Sequence, residues 1–526
     1  MNHRRIIPSL LPALLLGAGV LSAQELRTVQ VRTANGVLEG VVSPDDQVRT
    51  FKGIPYAAPP VGPLRWKPPQ PAPAWTGVRR AVDYPPRAMQ GRIYDDMVFH
   101  DGGPSENCLY LNLWMPEHPA PGRLPVMVWI HGGGFVAGST SEPRQDGGNL
   151  SKKGVLVVSL GYRLGVFGFL ALPGLSGESA HHAAGNYGLL DMIAALQWVR
   201  DNIAAFGGDP DNVTIFGESA GSTAVSALMA SPLARGLFHR AIGESGSVFD
   251  TEDPFHSLSR AEGDGVKFAQ AAFGTTSLAA LRKLPAEQVL AAALQLPREY
   301  FAPDVDGWLL PADGLSLYTA GQQSHVPLLA GWNRDEAVWR DFLAGAKPTA
   351  ANFAARARAR FGSEADAFLA AYPAATDADV WRAALDFSSD EVIAYSTWKW
   401  IEWHLRTGGA PVYRYEFDQA LPLPPDAPPG TVATAPHASE IEFVFRVLSS
   451  RRLPWRPDDY AVSELMASYW TNFAKTDDPN GPGLPPWPAY RRADGYPVMH
   501  LRPNAGAAPD NHRNRYELLE RLMPAR

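Results

Sequence analysis

At 526 residues, with 45% hydrophobic and 19% charged side chains, the chain is too rich in apolar residues to be mainly disordered. Its 47 Lys+Arg against 54 Asp+Glu leave a net charge of −7, which disfavours nucleic acid and anionic lipid as partners. A single cysteine, Cys108, excludes any intrachain disulfide, so stability must come from the size of the core.

The amino terminus reads as a secretory signal peptide over residues 1–23. A basic pair, Arg4-Arg5, precedes an apolar run over residues 6–21 and the small residues Ser22-Ala23. The expectation is an exported protein, periplasmic or secreted, whose net charge falls to −9 once Arg4 and Arg5 are removed. No cysteine near the cleavage site offers a lipid attachment point, and no second apolar run is long enough for stable membrane insertion. The remainder, residues 24–526, is expected to form one catalytic domain with helical insertions at about 251–311 and 341–407.

Residues 29–42 alternate and turn at Asn35-Gly36, as in a small edge hairpin. Residues 51–69 hold too many prolines for regular structure and too many aromatics for a linker, so they should lie as a loop against the core. Residues 85–105 read as a mobile surface loop near a pocket mouth, and Cys108, in the apolar run over 108–114, as a buried structural thiol. Strands are predicted over 109–113 and 126–130. The second runs into His131-Gly-Gly-Gly-Phe135, glycines at the carboxyl end of a strand, where open α/β sheets place ligands. Bare N–H groups of Gly133 and Gly134 can there receive a developing negative oxygen. A phosphate-binding reading fails because no Gly-Lys-Ser/Thr follows.

An apolar strand over 154–159 and a helix over 186–202 lead to the most informative stretch, residues 213–221. Val213 to Phe216 reads as a buried strand, Gly217-Glu-Ser-Ala-Gly221 as a tight turn, and residues 222–229 as a helix packed behind it. Such a turn lifts the Ser219 hydroxyl above the sheet; the rival reading is an ordinary helix N-cap. Strands recur at 238–242, 326–331 and 412–417. The helical segments 259–273, 277–283 and 286–293 occupy the first insertion, and a late helix covers 461–473. Residues 487–490 and 496–498 read as a packed C-terminal tail.

A serine hydroxyl is a weak nucleophile, so Ser219 needs a histidine base and a carboxylate that fixes the histidine's tautomer. On this kind of turn the chain order is serine, acid, histidine. His404, His437, His500 and His512 follow the resumed sheet; His437, in a loop, can swing over the serine, whereas His404 falls within a helical run. For the acid, Asp335 and Glu336 are adjacent, and sequence logic does not choose between them. No His, Cys and carboxylate spacing matches a metal motif, and His181-His182 are neighbours rather than spaced ligands.

These stretches together resemble the type B carboxylesterase family, which includes cholinesterases and non-catalytic adhesion relatives. The resemblance runs from about 29 to 490. It rests on Phe51-Lys-Gly-Ile-Pro-Tyr-Ala57, Ser105-Glu-Asn-Cys-Leu-Tyr-Leu-Asn-Leu-Trp114, Gly132-Gly-Gly-Phe135, Gly185-Asn-Tyr-Gly-Leu-Leu-Asp191, Phe206-Gly-Gly-Asp-Pro210, the elbow at Ser219 and Gly331-Trp-Asn-Arg-Asp-Glu336. It implies an α/β-hydrolase fold, with a large, mostly parallel central sheet, a small N-terminal hairpin and helical insertions. It also implies Ser219 as nucleophile, Glu336 as acid, His437 as base, an oxyanion hole from Gly133, Gly134 and Ala220, and support from Ser245. The implied reaction is hydrolysis of a small-molecule carboxylic ester through an acyl-enzyme, with no metal or organic cofactor.

The chain departs from the family pattern in four places. Cys108 has no partner to staple the 85–105 loop, Asn107 stands where the family often has Asp, His131 where an aromatic is common, and Ala337 where glycine is frequent. Amide, thioester, lactone, polyester or other bulky natural-ester hydrolysis would use the same residues. The 251–311 insertion could serve as a lipase lid, and a non-catalytic binding protein would use the same scaffold. No segment specifies an oligomeric state.

Overall fold

Alternation of apolar side chains sets the architecture. The computed structural model describes residues 27–43, 47–249 and 255–523, so the expected signal peptide lies outside the described residues. Thirteen strands form one sheet: β1 (Arg27–Thr33), β2 (Gly36–Ser43), β3 (Val48–Pro55), β4 (Val78–Arg80), β5 (Tyr110–Pro116), β6 (Leu124–Ile130), β7 (Leu156–Leu160), β8 (Gly208–Glu218), β9 (Arg240–Glu244), β10 (Leu328–Asn333), β11 (Val412–Phe417), β12 (Pro497–Leu501) and β13 (Gly506–Pro509). Their order is β1-β2-β3-β5-β7-β6-β8-β9-β10-β11-β12-β13, with β4 beside β2. The seven strands from β7 to β12 in sheet order run parallel, and the outer strands on both sides pair antiparallel except β4, which runs parallel to β2. A mostly parallel sheet with crossover helices is the α/β-hydrolase architecture.

Parallel strands covered on both faces must be largely apolar, and β6 and β7 at the centre of this sheet are. Along β6, Val126, Val128 and Ile130 join one buried cluster, while Met127 and Trp129 between them join the other. The first cluster packs under α1 (Tyr187–Asn202) and α2 (Ala220–Ala230); the insertions add α3 (Leu258–Phe273), α4 (Ala286–Ala293), α5 (Ala350–Phe361), α6 (Val380–Ser389) and α7 (Tyr395–Thr407) to that side. The second packs under α8 (Pro457–Thr476), through Val462, Met466, Tyr469, Trp470 and Phe473. Each such side chain fully buried contributes roughly 1.5–3 kcal/mol, which explains how the chain can dispense with disulfides.

Several predicted boundaries change, and residues 51–55, expected to open a loop, instead complete β3, whose ladder to β5 runs to Pro55↔Tyr110. Trp332 and Asn333 belong to β10 rather than to the loop beyond it, because the ladder to β11 continues through Asn333↔Phe417. The supposed C-terminal tail enters the sheet as β12 and β13 and ends in α9 (Arg513–Leu522). Helix α8 starts four residues earlier than its apolar pattern, because Pro457 suits a first turn and the Asp459 carboxylate accepts the Arg456 N–H at 2.7 Å.

The loop over 85–105 has other ties in place of a disulfide. Arg87–Ala88 pairs with Pro104–Ser105, and Arg87 forms an ion pair with Asp101. The buried Asp101 side chain also accepts from the Ser139 and Ser141 hydroxyls at 2.9 and 2.6 Å. Cys108 is buried and free, as expected for a structural thiol. No described helix is long and apolar enough to cross a membrane.

Candidate active site

The turn after β8 is built by exclusion of side chains. A Cβ on Gly221 would lie 2.0 Å from the Ile130 carbonyl oxygen, and one on Gly217 would lie 2.6 Å from the same atom. Strand and helix can therefore almost touch, and the chain reverses at Ser219 with φ 58° and ψ −124°. A non-glycine residue held there costs about 1–3 kcal/mol, which the surrounding packing must offset. One anchor is visible: the Ser219 N–H donates to the Glu244 carbonyl at 2.8 Å.

The structure brings Ser219, His437 and Glu336 into one line. Ser219 Oγ lies 2.9 Å from His437 Nε2, and His437 Nδ1 lies 2.6 Å from Glu336 Oε2. A carboxylate at Nδ1 fixes the proton there and leaves Nε2 to accept from the hydroxyl. The other oxygen of Glu336 accepts from Ser245 Oγ and from the Asn333 N–H, both at 2.6 Å. Ser245, also at positive φ, is thus placed against the acid.

Of the two adjacent acids, Asp335 is turned away: it pairs with Arg382 at 2.6 Å and accepts the Ala435 N–H at 2.9 Å. His404 is buried in α7 against the Val326 carbonyl, and burial lowers its pKa to about 4. His500 and His512 sit beside Asp418 and Glu416, away from the serine. His131 is buried, stacked on Tyr162 with ring centroids 4.5 Å apart, and its Nδ1–H donates to the Gly132 carbonyl; burial lowers its pKa to about 4.

Sequence reasoning passed over three more acids. Glu218, between strand and nucleophile, puts Oε1 3.2 Å from His437 Nε2. Glu244 and Glu440 lie behind it, fully buried. Burial raises the pKa of Glu218 to about 7 and of Glu244 to about 8; burial and the neighbouring carboxylates push Glu440 well above the usual range. Burial acts on His437 in the opposite sense, but its side chain keeps 35% exposure, and the carboxylates of Glu218 and Glu336 outweigh that effect and raise its pKa. The elbow motif itself contains Glu218, so that residue had a sequence signal; the other two did not.

The glycine loop after β6 lies directly against the serine: a Cβ on Gly132 would come 3.0 Å from Ser219 Cβ. Gly133 and Gly134 both take positive φ, 107° and 61°. Ala220 opens α2, so its N–H has no intrahelical acceptor. Tyr94 and Met97 lie over Gly134 and Gly133 and line a cavity of about 380 Å³. On the acid and histidine side, Asp335, Ala337 and Pro436 border a second cavity of about 630 Å³, with Trp339 and Trp381 in its wall.

A sequence model of the carboxylesterase family matches residues 27–518. The chain belongs to the carboxylesterase family. It is 36% identical to a fumonisin B1 esterase of Sphingopyxis macrogoltabida over 484 residues, covering 88% of this chain and 84% of that protein. Against a human cocaine esterase the identity is 35% over 536 residues, with 96% and 93% covered. A solved PNB esterase superposes with a TM-score of 0.77 at 34% identity, spanning 93% of this chain and 99% of that one. This carboxylesterase is therefore a serine ester hydrolase of the type B family, working through an acyl-enzyme.

Proposed function

We propose that Ser219 is the nucleophile, His437 the general base and Glu336 the acid that orients it. Gly133, Gly134 and Ala220 donate the oxyanion-hole hydrogen bonds, and Ser245 positions Glu336. The observation that carries this reading is the unbroken line from Ser219 Oγ through His437 to Glu336, at 2.9 and 2.6 Å. His437 takes the proton as Ser219 attacks the ester carbonyl, backbone N–H groups stabilise the oxyanion, and the alcohol leaves with that proton. Water repeats the attack on the acyl-enzyme with the same base.

The substrate in this reading is a small-molecule ester with bulk on both sides of the scissile bond. Relatives named for fumonisin B1 and cocaine support it, as does the cavity that Met97 and Tyr94 line over Gly133 and Gly134. The basic and apolar stretch over residues 1–23 supports export to the periplasm or beyond; sequencing the amino terminus of the protein recovered outside the cytoplasm tests it, with Gln24 expected first. The assignment of roles is tested by kcat/KM on esters graded in acyl and alcohol size. Ser219→Ala should lose at least about 10³-fold on every ester. Equal activity of parent and variant refutes the assignment.

A further inference from the structure

Although no metal motif is legible in the sequence, the fold assembles one set of ligands well away from Ser219. Glu416 of β11 and His500 of β12 are direct register partners across the parallel ladder. Asp418 follows two residues after Glu416 and so projects to the same side of the chain. One ligand atom from each of Glu416, Asp418 and His500 lies within 4.8 Å of the others. His512, leading into α9, adds Nδ1 at 3.9 Å from Glu416 Oε2. All four residues line one cavity of about 240 Å³, enough for an ion and its water.

Two observations separate this group from an ordinary surface ion cluster. Glu416 is only 6% exposed and packs its carboxylate beside that of Asp418, with His512 Nδ1 3.9 Å away, beyond hydrogen-bond reach. It faces the cavity beside a second carboxylate, Asp418, whose side chain is also 6% exposed. Nearby arginines neutralise the pair only in part: Arg414, two residues before Glu416, acts on it at a distance while paired with Asp510. Arg382 is held by Asp335 and Asp386, and Arg515 by Asp386. Arg502 Nη1 stays 3.8 Å from Asp418, beyond hydrogen-bond reach, with half of its side chain in solvent.

We propose that Glu416, Asp418 and His500, with His512 at the rim, form a binding site for a divalent transition-metal ion of the zinc class. Two carboxylate oxygens and one or two imidazole nitrogens are a donor set for Zn²⁺ rather than for Ca²⁺, which takes six to eight oxygens. His500 Nδ1 and Asp418 Oδ2 lie 2.7 Å apart, a contact that an ion seated between them would replace with two metal–ligand bonds. The site is a strap rather than a reaction centre: it ties β11 to β12 and to the entry of α9, adding to the ion pairs Arg414–Asp510 and Arg513–Glu402 that hold this region. It does not depend on the assignment of Ser219.

The test is Zn²⁺ alone, titrated into chelator-treated full-length protein by calorimetry, with thermal melting in parallel. One ion per chain and a raised Tm are expected. His500→Gln and Asp418→Asn should each weaken Zn²⁺ binding about ten-fold or more, while ester turnover without added metal stays at the parent level and certifies the fold. Asp418→Asn, which keeps the side chain's shape, decides if His500→Gln does not fold. His181→Ala, at an exposed histidine pair, should change nothing. The proposal is overturned if the parent binds no stoichiometric Zn²⁺, or if binding is undiminished in the Asp418 and His500 variants.

Discussion

Glu218 lies beside both Ser219 and His437, the proposed nucleophile and base, and its charge bears on when His437 can act. The base works only with Nε2 unprotonated, so activity falls as pH drops through the imidazole's transition. Because the Glu218 carboxylate, 3.2 Å away, favours the imidazolium, it holds that transition up. Glu218→Gln removes the charge and keeps the shape. The acid limb of kcat/KM should then move to lower pH by roughly one unit; an unmoved limb contradicts the electrostatic role. At this scale the sequence was informative only where residues act through a local motif or chain order. Ser219 and His437 could be found that way. Asp335 and Glu336 could not be separated from residue types alone, because neighbouring side chains face opposite ways and only the fold shows which one meets the histidine. Glu218, Glu244 and Glu440 converge from three segments, and a linear pattern has no sign of it.

At the scale of elements, the β8–α2 elbow is the most constrained piece of the molecule. Gly221→Ala places a methyl carbon 2.0 Å from the fixed Ile130 carbonyl, with no flexible side chain to yield. We expect loss of about 1–3 kcal/mol of stability, read by denaturant unfolding, together with a severe fall in turnover as Ser219 shifts. A variant as stable and active as the parent would mean that strand and helix are not in contact there. The elements the sequence displayed best were apolar runs such as β6 and β7. Strand β12 was hidden by Pro497 and His500, since it gains its identity from the neighbours β11 and β13 rather than from its own composition. The start of α8 was hidden because its first turn is polar.

Across the whole molecule, two cores grip one sheet, and buried acids sit between sheet and helices. Glu244, at the end of β9, accepts a hydrogen bond from Trp470 of α8 at 2.8 Å, and its other oxygen has no partner among the described residues. In the unfolded chain this carboxyl ionises near 4.5; burial raises it to about 8 in the fold. Between those values the folded state retains a proton the unfolded state has released, so stability is lost as pH rises through that window. Glu244→Gln has no such loss and can still accept from Trp470. Its Tm advantage over the parent should be absent below about pH 4.5 and grow towards pH 8. A constant difference at all pH values would contradict the linkage.

That one strained serine, Ser219, forms the acyl-enzyme is tested by covalent labelling with an organophosphate that traps an activated serine. One adduct per chain is predicted, on the peptide carrying Ser219, with esterase activity falling in proportion to the label. Ser219→Ala and His437→Ala should take up essentially none. Full inactivation with the adduct on another residue, or a labelled Ser219 in an enzyme that still turns over ester, would contradict the account.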